Sequence, residues 1–369
     1  MEISLSRPDI TQAERDAVAE AMLSPQLALG PRMVEFERLV ARFVGTRFAA
    51  AMNSGTSGLH LCVRAMGIGP GDEVITTPFT FIASVNCFQF EGAKPVFVDI
   101  DSETWNIDAR RVSAAITPRT KAILPVDVFG QPADMDPICE TARRHNLRVI
   151  EDSCEALGAT YKGRMAGTLG DVGVFGFYPN KQVTTGEGGM VVTDDEDICH
   201  QVISMRNQGR GAGGGWLAHV RVGFNFRLSE INCALGVAQM KRIDDILANR
   251  ARVASYYIKR LGDIPRVTMQ RVLPECKISH FVMVVRLDDC YTSKDRDRLL
   301  VALREKGVQS SNYFPPVHLQ PFYMKDYGFK PGDFPICEAL SDRTVALPFH
   351  GQLTESEVDR VCVVLRGLL

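Results

Sequence analysis

The chain has 369 residues, 45% of them apolar and 23% charged, with a formal net charge of −2. That length predicts two domains. The balance is that of an ordinary globular protein and gives no electrostatic reason to bind nucleic acid or a membrane surface.

No apolar run reaches the ~20 residues needed to span a bilayer. The opening MEISLSRPDITQAERD is too polar for a signal peptide, so a cytoplasmic location is expected. Ten cysteines stand singly, without a C-x-x-C pair. They are expected to be reduced, buried thiols rather than a disulfide framework or a zinc site.

In chain order, TQAERDAVAEAMLS (11–24) has the apolar spacing of a helix, with Thr11 as cap and Glu14 three residues later. MVEFERLVARFVG (33–45) is a second helix with a glycine stop. From about residue 48 the pattern changes. Short apolar runs (FAAAMNS, DEVITTP, KPVFVDI, KAILPVDV, LRVIEDS, DVGVFGFY, GGMVVTD) alternate with helical segments such as TSGLHLCVRAM and MDPICETARRHN. Strands of this kind, apolar on both faces and separated by helices, predict an α/β fold with a mostly parallel sheet. Residues 228–261 read as one long helical stretch that could join two domains. HFVMVVRL and the helices in SKDRDRLLVALREKG and TESEVDRVCVVLRGLL then predict a smaller α+β domain. The expected division is 1–250 for the large domain and 251–369 for the small one.

Three stretches carry chemistry. MNSGTSGLHL (52–61) follows a strand and opens a helix, where backbone amides and glycine suit a phosphate. RVIEDSCEALGA (148–159) ends an apolar strand on Glu151 and Asp152, and in open α/β sheets ligands sit at such ends. FGFYPNKQVTTGEGG (175–189) places Lys181 just past another apolar strand, and a lysine amine can form a Schiff base with an aldehyde. Taken singly, these are a capped turn, a helix-capping carboxylate and a surface lysine. Together they supply a phosphate site, an anion for a ring nitrogen and an amine for an aldehyde, which is what pyridoxal 5'-phosphate needs. GRGAGGG (209–215) resembles a dinucleotide loop but follows helix-like CHQVISMRNQ instead of a strand, so an active-site loop is expected there.

The chain resembles the DegT/StrS family of nucleotide-sugar aminotransferases, which have the fold type I (aspartate aminotransferase-like) architecture. The resemblance runs through NSGTSGLHL, GPGDEVITTPFTFIAS, GAKPVFVDID, VIEDSCEALGA, NKQVTTGEGGMVVTDD, MRNQG, GFNFRLSEINCALGVAQ and NYFPPVHLQP, nearly the whole chain. It implies that Lys181 binds the cofactor and that Asp152 pairs with its ring nitrogen. It implies that Gly55 and Thr56 cradle the phosphate and that Phe81 stacks on the ring. Asn225, with Arg227 as its assistant or as part of a structural ion pair, is implied to reach the cofactor phosphate of a neighbouring subunit. A homodimer with shared active sites follows. Tyr313 and His318 lie in a loop that borders the sugar site in that family, and His219 is a further candidate for substrate contact. Gly176 departs from the usual serine and removes a hydroxyl donor to the phosphate. Glu155 is similar to the GDP-perosamine synthase branch, where a glutamate lies near the ring hydroxyl. The implied substrates are an amino-acid donor, glutamate, and a nucleotide-linked 4-keto-6-deoxy sugar. A same-fold sugar dehydratase, a fold type I enzyme acting on amino acids alone and a non-catalytic regulatory protein that binds the same cofactor are the alternatives. The dehydratases carry histidine in place of the lysine.

Overall fold

A computed structural model describes residues 2–369 except 212, 214 and 216. Part of GRGAGGG therefore lies outside the described residues. The first helix, α1 (Gln12–Met22), starts on a full capping box between Thr11 and Glu14. The second, α2 (Pro31–Val44), opens on a proline and closes on Gly45. Its buried side, Met33, Phe36, Val40 and Val44, lies at the helical repeat that brings apolar residues onto one face.

Seven strands form the central sheet. They are β1 (Phe48–Met52), β2 (Glu73–Thr76), β3 (Lys94–Phe97), β4 (Thr120–Leu124), β5 (Arg148–Asp152), β8 (Val172–Gly176) and β9 (Gly189–Thr193), in the order β1-β9-β8-β5-β4-β2-β3. From β8 to β3 every pairing is parallel, and β9 runs antiparallel to both β1 and β8. Side chains alternate between two cores. Ala50, Met52, Val174 and Val191 pack on one side, with residues of α3 (Gly55–Ala65), α4 (Ala83–Gln89) and α7 (Glu196–Arg206). Ala51, Phe175, Met190 and Val192 pack on the other, with α2 and α8 (Glu230–Lys241). Ile75, Ile123 and Val149 pack with α5 (Ala109–Val112) and α6 (Met135–His145). The mostly parallel α/β sheet read from the sequence is thus present. Two short strands, β6 (Thr160–Tyr161) and β7 (Arg164–Met165), pair with β11 (Cys276–Lys277) in a separate small sheet.

The long helix expected over 228–261 is broken. Arg242, with φ −126° and ψ 25°, separates α8 from α9 (Ile243–Leu261). At the break its side chain turns back to the start of the chain, where Nη2 donates to Asp9, just before α1, at 2.8 Å and Nε to Glu14 in α1 at 2.5 Å. After α9 come β10 (Val267–Met269), β12 (Met283–Leu287) and β13 (Thr344–Leu347) in an antiparallel sheet, with α10 (Ser293–Glu305) and α13 (Glu355–Leu368) beside it. Val253, Tyr257, Val285, Leu303, Val345 and Val361 make its core, which Ile3 from the start of the chain joins. Two short helices, α11 (Pro321–Tyr327) and α12 (Pro335–Ser341), contribute instead to the first core through Tyr323, Cys337 and Leu340. All ten cysteines are free thiols. Six are buried, but Cys139, Cys154 and Cys276 are half-buried and Cys290 is exposed, so burial is not general as expected.

Glu14 gives a pH prediction. Its carboxylate accepts from Thr11, Gln239 and Arg242. Burial acts against the charge, but these partners outweigh it and hold the pKa down to about 2, against 4.5 ordinarily. A depressed carboxylate stabilises the fold above its unfolded pKa and loses that contribution as pH falls toward its folded one. Glu14→Gln is expected to cost about 3 kcal/mol at pH 6. In denaturant titrations the gap from wild type should narrow steadily between pH 5 and pH 3. A gap that stays constant would show that the carboxylate's charge plays no part.

Candidate active site

The C-terminal ends of β5 and β8 and the N-terminus of α3 meet at a cavity of about 620 Å³. Alternation along β5 decides which acid faces it. Glu151 turns away and accepts from the amides of Gly167 (2.6 Å), Leu169 (2.9 Å) and Gly170 (3.3 Å), a structural role. Asp152 lines the cavity. It is buried, and its hydrogen-bond partners are neutral: Oδ2 accepts from the Ser84 hydroxyl at 2.6 Å and Oδ1 from the Cys154 amide at 3.2 Å. A desolvated carboxylate held this way calls for a cation. Ser84, which receives or gives a 2.8 Å hydrogen bond with Thr80, fixes the rotamer of Asp152.

Lys181 stands on the opposite chain segment, between β8 and β9, and lines the same cavity. Its Nζ lies 3.4 Å from Glu155 Oε1 and 3.9 Å from the centroid of the Phe281 ring. Glu155 is buried, and that burial pushes its pKa up even though Lys181 pulls the other way. Its second oxygen accepts from the Phe129 amide at 2.9 Å, which Phe129 presents by adopting φ 59°. That is an uncommon conformation for a side-chain-bearing residue and marks a site under constraint.

At α3 the Ser54 hydroxyl accepts from Ser57 N–H and the Ser54 carbonyl from Gly58 N–H. Of the orphan first-turn amides this leaves those of Gly55 and Thr56, and both residues line the cavity. A Cβ on Gly55 would meet Cys154 Sγ at 2.8 Å, so only glycine lets the helix start this close to β5. Gly176, where the resemblance leads one to expect serine, has Cys154 Cβ 3.3 Å from the place of its absent Cβ. Cys154 thus crowds the space that a serine would use.

The remaining candidates divide. Phe81 lines the cavity at its mouth and is 61% exposed. Tyr313 also lines it, stacked on Phe314 with ring centroids 5.2 Å apart. Burial, and secondarily the Glu155 charge, raise its phenol pKa. Asn225, His219 and Arg227 are not at this chain's own cavity. Asn225 is exposed and bridged to Asn207, His219 is exposed beside the Gln208 carbonyl at 2.8 Å, and Arg227 Nη1 donates to Asn207 Oδ1 at 3.0 Å. Arg227 therefore donates to a neutral amide oxygen there, not to a carboxylate. His318 is corrected: it is fully buried, hydrogen-bonded to Glu338 at 3.0 Å and enclosed by Phe97, Phe329 and Phe334. It is a core histidine and does not reach the cavity.

Ser84, Asn180, Phe281 and Asn312 were not singled out from the sequence, yet they share the cavity. The set fits pyridoxal phosphate by its chemistry. It holds free helix-terminal amides for the phosphate, a buried carboxylate with neutral partners for the ring nitrogen, and an amine for the aldehyde.

The DegT/DnrJ/EryC1/StrS aminotransferase family matches residues 8–366. The GDP-perosamine synthase of Caulobacter vibrioides is 44% identical over 371 residues, covering 100% of this chain and 98% of that one. Helicobacter pylori PseC, an aminotransferase involved in the biosynthesis of pseudoaminic acid, superposes with a TM-score of 0.94 at 28% identity, covering 100% of this chain and 99% of its own. Spr1654 from Streptococcus pneumoniae, in its PLP-form, does so with a TM-score of 0.95 at 28% identity, covering 100% of this chain and 98% of its own. With a match of that extent and a cavity holding both the lysine and the acid, the chain belongs to the DegT/DnrJ/EryC1/StrS aminotransferase family, whose cofactor is pyridoxal 5'-phosphate.

Proposed function

We propose that this protein moves an amino group from glutamate to the keto group of a nucleotide-linked 4-keto-6-deoxy sugar. The observation that carries the reading is that Lys181 and Asp152 open onto one cavity. The sugar part is supported by the relatives, one a GDP-perosamine synthase and one an aminotransferase of pseudoaminic acid biosynthesis. When bound, pyridoxal phosphate supplies the electron sink and carries the amino group between the two substrates.

The chain's own residues do the rest. The amides of Gly55 and Thr56 would receive the phosphate, and Phe81, at the cavity mouth, would cover the ring. Asp152 would keep a proton on the ring nitrogen. Lys181 Nζ would move a proton from the donor's α-carbon to the cofactor's aldehyde carbon, as general base and then acid, and would make the reverse transfer, from that carbon to the sugar's carbon, in the second half of the reaction. Glu155 and Phe281 hold the amine from two sides. Tyr313 borders the substrate.

Screening GDP-, UDP-, dTDP- and CDP-linked keto sugars with glutamate tests this. One of them should yield an amino-sugar nucleotide and an equal amount of 2-oxoglutarate by mass spectrometry. Ammonia released without a 2-oxo acid would replace the reading with a dehydratase.

A homodimer is part of the proposal. Phe81, Phe90, Tyr178, Val220 and Val222 are exposed, and Asn225 is exposed away from its own cavity. A second copy would cover such residues and bring Asn225 to the neighbouring phosphate. Asn225→Ala should weaken cofactor binding by roughly tenfold or more, the loss of one charge-assisted hydrogen bond. Mixed with inactive Lys181→Ala it should regain activity, because one site of each mixed pair has both residues. Failure to regain activity, with mixed dimers detected, would place Asn225 outside a shared site.

We further propose a division near residue 250, into 1–250 and 251–369, and a cytoplasmic location in keeping with ten free thiols. No helix among the described residues is long and apolar enough to cross a membrane.

A further inference from the structure

Arg250, in α9, is 4% exposed, and its guanidinium donates to main chain. Nε donates to the His280 carbonyl at 2.9 Å, and Nη2 to the carbonyls of Phe281 at 2.7 Å and Asn180 at 3.4 Å. The group also sits 5.2 Å from the centroid of the Phe349 ring. Burial pulls its pKa down to about 10, which leaves it charged at neutral pH. A buried cation satisfied by carbonyl dipoles is expensive to maintain, so what it holds together is informative.

The carbonyls belong to two segments that meet at the catalytic amine. Asn180 directly precedes Lys181, and the Phe281 ring lies 3.9 Å from Lys181 Nζ. On the other side of the lysine, Gln182 Nε2 donates to the Ser279 carbonyl at 3.0 Å and to the Glu155 carbonyl at 2.5 Å. Both chain neighbours of Lys181 are therefore fastened to residues 279–281. One link is direct and the other runs through Arg250.

We propose that Arg250 is a positioning residue for Lys181: by clamping the Asn180 and Phe281 carbonyls together, it fixes the amine between the Phe281 ring and Glu155. The role rests on the amino-transfer reading above. A planar guanidinium can bridge three carbonyls in one plane where a lysine ammonium cannot. Misplacing a reacting group by about 1 Å can slow chemistry about a hundredfold.

The test uses holoenzymes of wild type, Arg250→Lys and Phe281→Leu. The last keeps the carbonyl but removes the ring. Glutamate is mixed in, and loss of the visible band of the lysine-bound cofactor is timed per bound cofactor in a single turnover. Melting temperature is measured alongside. The expected result is a rate lower by about 10- to 100-fold in both variants, with the half-saturating glutamate concentration little changed. A purely structural role would lower melting temperature and cofactor content but leave the rate per bound cofactor near that of wild type, and that result overturns the proposal. Should Arg250→Lys fail to fold, Arg250→Gln, which keeps a side-chain donor without the three-way fork, is measured in its place: an unchanged rate per bound cofactor overturns the proposal and a slowed one supports it. A wild-type holoenzyme whose band glutamate does not bleach counts against the amino-transfer reading itself. Bleaching wild type with equally fast variants counts against Arg250 alone.

Discussion

Lys181→Ala is expected to abolish turnover, by at least roughly 10⁴-fold, because it removes the covalent anchor and the proton carrier together. The visible absorbance of the lysine-bound cofactor should vanish with it. The fold should survive, since the lysine packs at a cavity wall rather than in one of the cores. The surrounding turn keeps its own ties, Thr185 N–H to the Phe177 carbonyl at 3.0 Å and Phe177 N–H to the Gly188 carbonyl at 2.8 Å. A cavity that remains shaped for its ligands should still bind a sugar nucleotide, seen as a rise in melting temperature. Turnover near the wild-type rate in this variant would end the proposed mechanism.

Asp152→Asn should keep the Ser84 and Cys154 hydrogen bonds in some form but remove the charge. At an effective dielectric of 20, two opposite charges about 4 Å apart attract by roughly 4 kcal/mol. That corresponds to about a thousandfold in rate if the protonated ring is needed in the transition state. Cofactor content should fall less than kcat, because the phosphate and the lysine linkage still hold it. Wild-type kinetics in Asp152→Asn would remove the acid from its role, and a parallel loss of cofactor and rate would make it a binding group only.

How legible these residues were depends on how local their signals are. Asp152 and Lys181 stand at the ends of apolar strands, and strand ends in an α/β sheet converge on one edge. Their meeting is therefore implied by alternation and order alone. Gly55 and Thr56 were readable for the same reason, as the first turn after a strand. Ser84 was not, because a single serine at the start of a helical stretch carries no signal of its own; its hydroxyl matters only because α4 begins beside the end of β5, a relation 68 residues long. His318 was misplaced for the converse reason. Of the groups that bury it, Phe97 comes from β3, and Phe329, Phe334 and Glu338 lie in the stretch after the loop, which folds back over it; the loop's own pattern records none of them. The break at Arg242 was hidden because apolar spacing continues through it, while the acids that hold Arg242 there, Asp9 and Glu14, lie more than 200 residues earlier. Phe281 and Arg250 were invisible likewise: an arginine in a helix reads as solvent-facing until the fold closes around it.

The antiparallel course of β9 against β8 has an outcome for how such a scaffold can diversify. The segment bearing Lys181 leaves and re-enters neighbouring strands, with Gly176 paired to Gly189. A slip of one position there would turn the slipped strand's side chains to the opposite layer and shift the connection that carries the amine. The floor of the pocket thus tolerates almost no drift. The rim, where Tyr178 stands exposed, carries no such register constraint. New sugar preferences are most readily acquired at that outer edge, with the chemistry below it left untouched.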